Sequence, residues 1–85
     1  MKRYLVLAMR RPTFDASVVA PHKAFLDTLR DRDLLECTGG FTDGSGGAYV
    51  LRNIDSLAEA QDLVALDPLV LQDASEVTVR EWTLR

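Results

Sequence analysis

The chain has 85 residues, of which 47% are hydrophobic and 27% charged, and its formal net charge is −3. This composition is typical of a globular protein and excludes a disordered, collagenous or membrane-embedded chain, so we expect one domain over residues 1–85. The acidic balance argues against a nucleic-acid partner, because affinity for phosphates depends largely on Lys and Arg.

The first predicted element is a strand from Arg3 to Arg10. Its apolar run YLVLAM is too short to cross a bilayer and lacks the cleavage pattern of a signal peptide. We therefore expect a cytoplasmic protein without a membrane partner. Both faces of the strand are apolar, which is typical of a central strand covered on both sides. One face carries Tyr4, Val6 and Ala8, and the other carries Leu5, Leu7 and Met9.

A helix is predicted from Ser17 to Arg30, because apolar residues recur there at helical spacing. Pro21 lies within this segment. Since proline removes a backbone bond and clashes with the carbonyl four residues earlier, the helix either begins at Pro21 or is kinked there. The apolar positions are Val18, Phe25, Leu26 and Leu29.

Two short strands, Leu34 to Cys37 and Ala48 to Arg52, flank a glycine-rich segment at residues 39–47. The segment lacks the GK[ST] motif of a phosphate-binding loop, and it leads into a strand instead of a helix N-terminus. We therefore predict a hairpin loop in which glycine supplies positive φ angles.

Ser56 and Glu59 have the spacing of a capping box, which predicts the start of a second helix. Asp67 and Pro68 are predicted to end this helix, because the residue before proline is driven out of the α region. A last strand runs from Val77 to Leu84. The second helix places Leu57, Ala60 and Val64 on its apolar side, and the last strand separates Val77 and Val79 from Trp82 and Leu84.

The resulting βαββαβ order predicts an α+β fold, a ferredoxin-like two-layer sandwich with two helices on a four-stranded antiparallel sheet. Right-handed crossovers put both helices on the same face of the sheet. The other face is left bare although it carries apolar side chains, including Trp82. We therefore expect a homodimer that forms through the open sheet face.

Several other classes of site are excluded by the residues available. One cysteine, Cys37, and one histidine cannot form a disulfide or the ligand cluster of a structural zinc site, so no metal is predicted. We interpret Cys37 as a small core residue. The RNA-recognition motif shares the βαββαβ order, but the third strand here offers one aromatic residue, Tyr49, which we interpret as a sheet residue.

His22, the only histidine, lies four residues after Val18 and three before Phe25, on the apolar face of the first helix. Histidine in that position is more often a hydrogen-bonded core residue than a catalyst. A neighbouring carboxylate would fix its tautomer and make it a usable general acid or base. Asp67, at the end of the second helix, is the candidate carboxylate.

Four segments carry a resemblance to a known family. PHKAFL (21–26), LLECTGG (34–40), SLAEAQ (56–61) and ALDPLV (65–70) occur in the order found in the YciI-like, or YCII-related, family. The resemblance implies a ferredoxin-like fold of the dimeric α/β barrel type. It also implies that His22 and Asp67 form a catalytic pair in a cleft. Family members often have arginine where this chain has Val19, which raises the hypothesis that Arg10 or Arg11 reaches the cleft instead.

This resemblance implies a small cofactor-free enzyme acting on a small cyclic or aromatic-derived metabolite by isomerase, lyase or dehydrochlorinase-like chemistry. His22 would be the acid or base, Asp67 would orient it, and amides near Gly39 and Gly40 would hold a substrate oxygen. Haem and flavin occur in related barrels, but a lone His22 does not establish an axial ligand. The alternative is a non-catalytic binding or accessory dimer of the same fold.

Overall fold

Four strands and three α-helices form the fold, and the computed structural model describes all residues from 1 to 85. A 3₁₀ turn, Ala16–Val18, precedes the first helix. No helix of the chain combines the length and apolarity needed to cross a membrane. The elements in chain order are β1 (Lys2–Arg10), α1 (Val19–Asp31), β2 (Leu35–Gly40), β3 (Gly46–Leu51), α2 (Leu57–Val64), α3 (Pro68–Leu71) and β4 (Ser75–Thr83).

The four strands make one antiparallel sheet in the order β2-β3-β1-β4. β1 is therefore a central strand, as its two apolar faces predicted. The predicted α+β ferredoxin-like sandwich is confirmed, and α3 is an addition to the predicted βαββαβ order.

Helices α1 and α2 pack on the same face of the sheet, where the main core lies. Tyr4 and Val6 of β1 are fully buried there, against Leu29 of α1 and Ala60 of α2. Fully burying a side chain of the size of Val or Leu contributes about 1.5–3 kcal/mol relative to leaving it exposed. The face predicted for Tyr4, Val6 and Ala8 is thus the helix-covered face.

One end of this helix-covered face has almost no side chains. Gly40 of β2 pairs with Gly47 of β3, which pairs with Ala8 of β1, and register partners lie on the same face. The adjacent row across the same strands is much larger, since it contains Tyr49 and Val6. The sheet therefore supports a packed core at one end and leaves space above it at the other.

The loop within the glycine-rich segment is shorter than predicted. β2 continues to Gly40 and β3 begins at Gly46, so only residues 41–45 connect them, with Gly44 at a φ of 77°. β2 and β3 stay paired this far because glycine lets their backbones approach closely. A Cβ at Gly47 would lie 2.5 Å from the carbonyl oxygen of Gly39. Gly46 and Gly47 thus permit close strand packing, whereas Gly44 turns the chain.

The first helix also starts earlier than Pro21. Asp15 accepts a hydrogen bond from the Ser17 amide at 2.8 Å and caps the 3₁₀ turn, and α1 follows directly from Val19. Pro21 is the third residue of α1. Proline is tolerated in the first turn because the amides there have no intrahelical acceptor.

The sheet face opposite the helices is open and apolar at its centre. Leu5 and Leu7 of β1 are half-buried, and Trp82 of β4 is 46% exposed. Cys37 pairs with Val50 on this face and is exposed, so the prediction that it is a core residue is wrong. The β-bulge between Leu35 and Cys37 shifts the register that simple alternation would give.

Candidate active site

His22 and Asp67, which are 45 positions apart in the sequence, are in direct contact. The distance from His22 Nδ1 to Asp67 Oδ1 is 2.8 Å. Asp67 is completely buried, whereas the His22 side chain is 18% exposed. The pair therefore combines an interior carboxylate with an imidazole that reaches a surface.

Asp67 begins a helix instead of ending one. α2 stops at Val64, and Asp67 is the N-cap of α3, with Pro68 as the first helical residue. Asp67 has extended backbone angles, φ −63° and ψ 129°, as expected before proline. Its Oδ1 accepts a hydrogen bond from the Leu69 amide at 2.9 Å, and this capping bond fixes the carboxylate beside α1.

Tyr49 is a third member of the site that the sequence interpretation missed. Its hydroxyl donates to Asp67 Oδ2 at 2.8 Å, and its ring centre lies 6.0 Å from that of His22. Burial raises the pKa of Tyr49 far above its usual value, and the charge of Asp67 and the hydrogen bond raise it further. Tyr49 therefore remains a hydrogen-bond donor. Its position on an apolar strand was a signal, because a buried tyrosine hydroxyl usually has a partner.

The hydrogen bonds around Asp67 determine the state of His22. Tyr49 and the Leu69 amide donate to the carboxylate, and an ionised carboxylate is an acceptor only. Nδ1 of His22 must then carry the proton that bonds to Asp67. In the neutral ring this leaves Nε2 with a free lone pair, which is the state of a general base.

His22 forms part of the wall of a cavity of about 270 Å³ above the small-residue end of the sheet. Three of the four predicted site residues, His22, Gly39 and Gly40, line this cavity, while Asp67 lies behind His22 and Tyr49. Helix α1, the β2–β3 hairpin and the ends of β1 and β4 enclose it. The apolar part of the lining is Ala8, Phe14, Val19, Leu26, Ala48 and Leu69.

The two predicted glycine amides differ in what they can offer a ligand. The Phe41 amide bonds to the Gly46 carbonyl at 2.8 Å, which makes these residues a hydrogen-bonded pair. Because such pairs alternate along antiparallel strands, Gly39 bonds to β3 whereas the Gly40 amide points away from it. Binding of a substrate oxygen by these amides stays a prediction, and Gly40 is the one with a free donor.

Of the two arginines considered for the cleft, Arg10 lines the cavity and Arg11 does not. The Arg10 guanidinium lies over the Phe14 ring, 4.2 Å from its centre. Arg11 instead pairs with Asp73, with 3.2 Å between Nε and Oδ1. Lys23, next to His22 in α1, is the second basic residue of the lining. No group of three or more His, Cys, Asp or Glu side chains is placed to hold a metal ion.

Comparison with known proteins gives a family match over almost the whole chain. The YCII-related domain family matches residues 2–83. The uncharacterized protein YjpA of Bacillus subtilis (strain 168) is 45% identical over 85 residues, which is 100% of this chain and 99% of YjpA.

Solved structures share the fold at low sequence identity. 5-Chloro-2-hydroxyhydroquinone dehydrochlorinase (TftG) from Burkholderia phenoliruptrix AC1100, in complex with 2,5-dihydroxybenzoquinone, has a TM-score of 0.72 at 21% identity, with 95% of this chain and 93% of that chain covered. An antibiotic biosynthesis monooxygenase has a TM-score of 0.63 at 12% identity, covering 100% and 99%. Hydroxynitrile lyase from Passiflora edulis has a TM-score of 0.57 at 15% identity, covering 99% and 93%.

Proposed function

Because the chain belongs to the YCII-related domain family, we propose that it is a small enzyme that moves a proton on a cyclic or aromatic-derived metabolite without a cofactor. The observation that supports this proposal is the 2.8 Å contact between His22 Nδ1 and Asp67 Oδ1 at the wall of a cavity. Such a contact orients an imidazole and stabilises its protonated form.

In the proposed reaction, Nε2 of His22 removes a proton from a C–H or O–H group of the substrate. The electron pair left behind moves to an adjacent carbonyl oxygen or expels a leaving group. Asp67 stabilises the imidazolium that forms, while Tyr49 and the Leu69 amide hold the carboxylate in place. The imidazolium then returns the proton to another substrate atom in an isomerisation, or to solvent after an elimination.

Two of the structural relatives bear names of eliminating enzymes, a dehydrochlorinase and a hydroxynitrile lyase. The dehydrochlorinase binds 2,5-dihydroxybenzoquinone, a planar ring with several oxygens. A cavity of about 270 Å³ is near the lower end of the range of about 300–1,000 Å³ for small-molecule sites. These facts favour a substrate of about one ring, and elimination or isomerisation as the reaction.

We further propose that a second copy of the chain covers the open sheet face and that the protein acts in the cytoplasm. Leu5, Leu7 and Val50 form the apolar centre of that face, and Trp82 extends it at the edge strand. An exposed free thiol, Cys37, is consistent with a reducing compartment.

A non-catalytic ligand-binding or accessory protein is the second candidate function. It is favoured by the complete burial of Asp67, because the same three hydrogen bonds also hold α1 and α3 against β3. In that case the His22 contact is a structural support, and the cavity binds a molecule without changing it.

Hydrogen exchange into candidate substrates distinguishes the two functions. Chlorinated hydroxyhydroquinones, 2,5-dihydroxybenzoquinone and unsaturated lactones are incubated with the protein in D₂O, and incorporation of deuterium or release of chloride is followed by NMR and ion analysis. Catalysis predicts turnover by the wild type and a loss of about 10²–10⁴-fold in His22→Gln. Binding of a ring compound without exchange or elimination in the wild type would favour the non-catalytic protein.

A further inference from the structure

We infer that the ligand of this cavity is an anion, a planar single-ring compound whose carboxylate or ionised enol oxygen is held by Arg10 and Lys23. The inference rests on the proposed function only in assigning the ligand to the cavity of His22. It adds the charge of the substrate and the residues that select for it, neither of which follows from the His22–Asp67 contact.

The charge of the cavity is opposite to that of the protein. The chain has 13 acidic and 10 basic residues, yet none of the residues that line the cavity is acidic and two of them are basic. A concave surface lined by one sign of charge concentrates ligands of the opposite sign. A net negative protein with a positive cavity therefore favours an anionic ligand there.

Neither of the two basic residues forms a salt bridge within the protein. Arg3 pairs with Glu36 and Arg11 with Asp73, but neither Arg10 nor Lys23 has a carboxylate within salt-bridge distance. Their charges are consequently available to a ligand. Because both side chains are exposed, we expect their attraction for an anion to weaken as salt is added.

Arg10 is restrained at the cavity by a backbone hydrogen bond and by an aromatic contact. Its amide donates to the Ser45 carbonyl at 2.9 Å, which fixes the end of β1 beside the β2–β3 hairpin. Its guanidinium is covered on one side by Phe14. No carboxylate of the protein pairs with its N–H groups, which match the two oxygens of a carboxylate ligand.

Ser75 adds a polar hydroxyl to the cavity beside Arg10. It pairs with Arg10 across β1 and β4, lines the cavity and is only 4% exposed. Its hydroxyl is in none of the side-chain hydrogen bonds within the protein. A serine hydroxyl both donates and accepts hydrogen bonds. Ser75 can therefore bond to a ligand oxygen in the cavity, next to the guanidinium of Arg10.

The test uses salicylate and its neutral analogue salicylamide, which have the same ring and differ in charge. Binding of each to the wild type, Arg10→Gln, Lys23→Gln and Arg11→Gln is measured by NMR titration at pH 7 and at two salt concentrations. Arg11→Gln is the matched control, because it makes the same change of charge one residue away, outside the cavity. The amide spectrum of each variant verifies that it is folded.

We expect salicylate to bind in the cavity, to bind more weakly at higher salt, and to lose about tenfold in affinity in Arg10→Gln. Lys23→Gln should lose less, and Arg11→Gln should resemble the wild type. Equal binding of salicylamide and salicylate, an equal loss in Arg11→Gln, or no binding of salicylate would overturn the inference.

The binding measurement is independent of the proposed reaction. Salicylate should bind to His22→Gln with the same dependence on Arg10, even though that variant is expected to be inactive. If anion binding is found but no substrate is turned over, the proposed enzymatic function fails and the inference stands. If turnover is found with neutral substrates only, the inference fails and the function stands.

Discussion

Tyr49 and Asp67 form the hydrogen bond that connects the sheet to the candidate active site, with 2.8 Å between the hydroxyl and Oδ2. Because His22 and the Leu69 amide use the other carboxylate oxygen, both oxygens of this buried side chain are satisfied. Asp67 is thus held by hydrogen bonds to the sheet, to α1 and to α3. Its orientation, and through it that of His22, depends on all three elements.

Removal of the tyrosine hydroxyl should therefore affect stability and the site together. Tyr49→Phe leaves Oδ2 of Asp67 without its protein donor, and an unsatisfied buried group costs about 1–3 kcal/mol. We expect a loss of that size in the free energy of unfolding, measured in urea. Tyr4→Phe is the matched control, since its hydroxyl bonds at 3.2 Å to Glu81, whose side chain is 40% exposed. An equal loss in both variants would contradict a special role for Tyr49.

The two buried tyrosines also predict how stability changes in alkali. Burial raises the pKa of Tyr49 and, together with Glu81, that of Tyr4, above the ordinary value of 10.0. Above pH 10 the unfolded chain therefore loses tyrosine protons that the folded protein keeps, so the free energy of unfolding must fall as the pH rises. Thermal unfolding between pH 8 and about 11 should show this decline, and Tyr49→Phe should make it shallower. If stability declines equally steeply in Tyr49→Phe, groups other than Tyr49 cause the decline.

Asp67→Asn tests whether the carboxylate sets the tautomer of His22. The substitution keeps the shape but removes the charge, so the histidine no longer has a strong acceptor at Nδ1. We expect a change in the ¹⁵N shifts of the imidazole and a loss of activity of about 10²–10⁴-fold. Asp27→Asn is the matched control, because Asp27 is an exposed residue of α1 that pairs with Arg30. Unchanged imidazole shifts in Asp67→Asn would show that Asp67 does not control the ring.

Gly40→Ala should reduce the cavity without disturbing the sheet. A Cβ at Gly40 would lie 3.8 Å from the Gly46 carbonyl oxygen, which is an ordinary contact, and Gly40 has no positive φ. The added methyl group lies on the helix-covered face, so we expect weaker binding of ring ligands at nearly unchanged stability. Gly39→Ala serves as the control: the Gly39 backbone lines the cavity, but its Cβ would lie on the opposite face with no neighbour within 4 Å. An equal loss of ligand affinity in the two variants would disprove this account of the cavity floor.

A charge on the open sheet face should prevent the proposed dimer. Leu7→Asp places a carboxylate at the apolar centre of that face, and burying an unpaired charge between two sheets is costly. Sedimentation velocity should then show a dimer for the wild type and a monomer for Leu7→Asp. Leu71→Asp is the control, since Leu71 is 63% exposed in α3, away from this face. A dimer that persists in Leu7→Asp would place the interface elsewhere.

Much of the architecture could be predicted from local patterns. A segment of about ten residues is enough to recognise the two apolar faces of β1, the capping box at Ser56 or the alternation in β4. The structure has all three elements. Ser56 accepts a hydrogen bond from the Glu59 amide as predicted, although the Glu59 carboxylate bonds to the amide of Asp55 instead of that of Ser56. Boundaries were less well predicted at two places. At Pro21 the Asp15 cap and the 3₁₀ turn start the helix earlier, and in the glycine-rich segment close strand packing extends β2 and β3.

Local patterns were enough to place His22 on the apolar side of a helix and to keep Asp67 out of the α conformation, since helical spacing gives the first and Pro68 imposes the second. Local patterns could not show that Tyr49 bonds to Asp67 or that Arg10 lines the cavity while Arg11 does not. Nor could they show that the row of Gly40, Gly47 and Ala8 leaves room for a ligand. These relationships join residues far apart in the chain. They depend on strand register and on how the helices pack on the sheet, which no periodicity within one segment can specify.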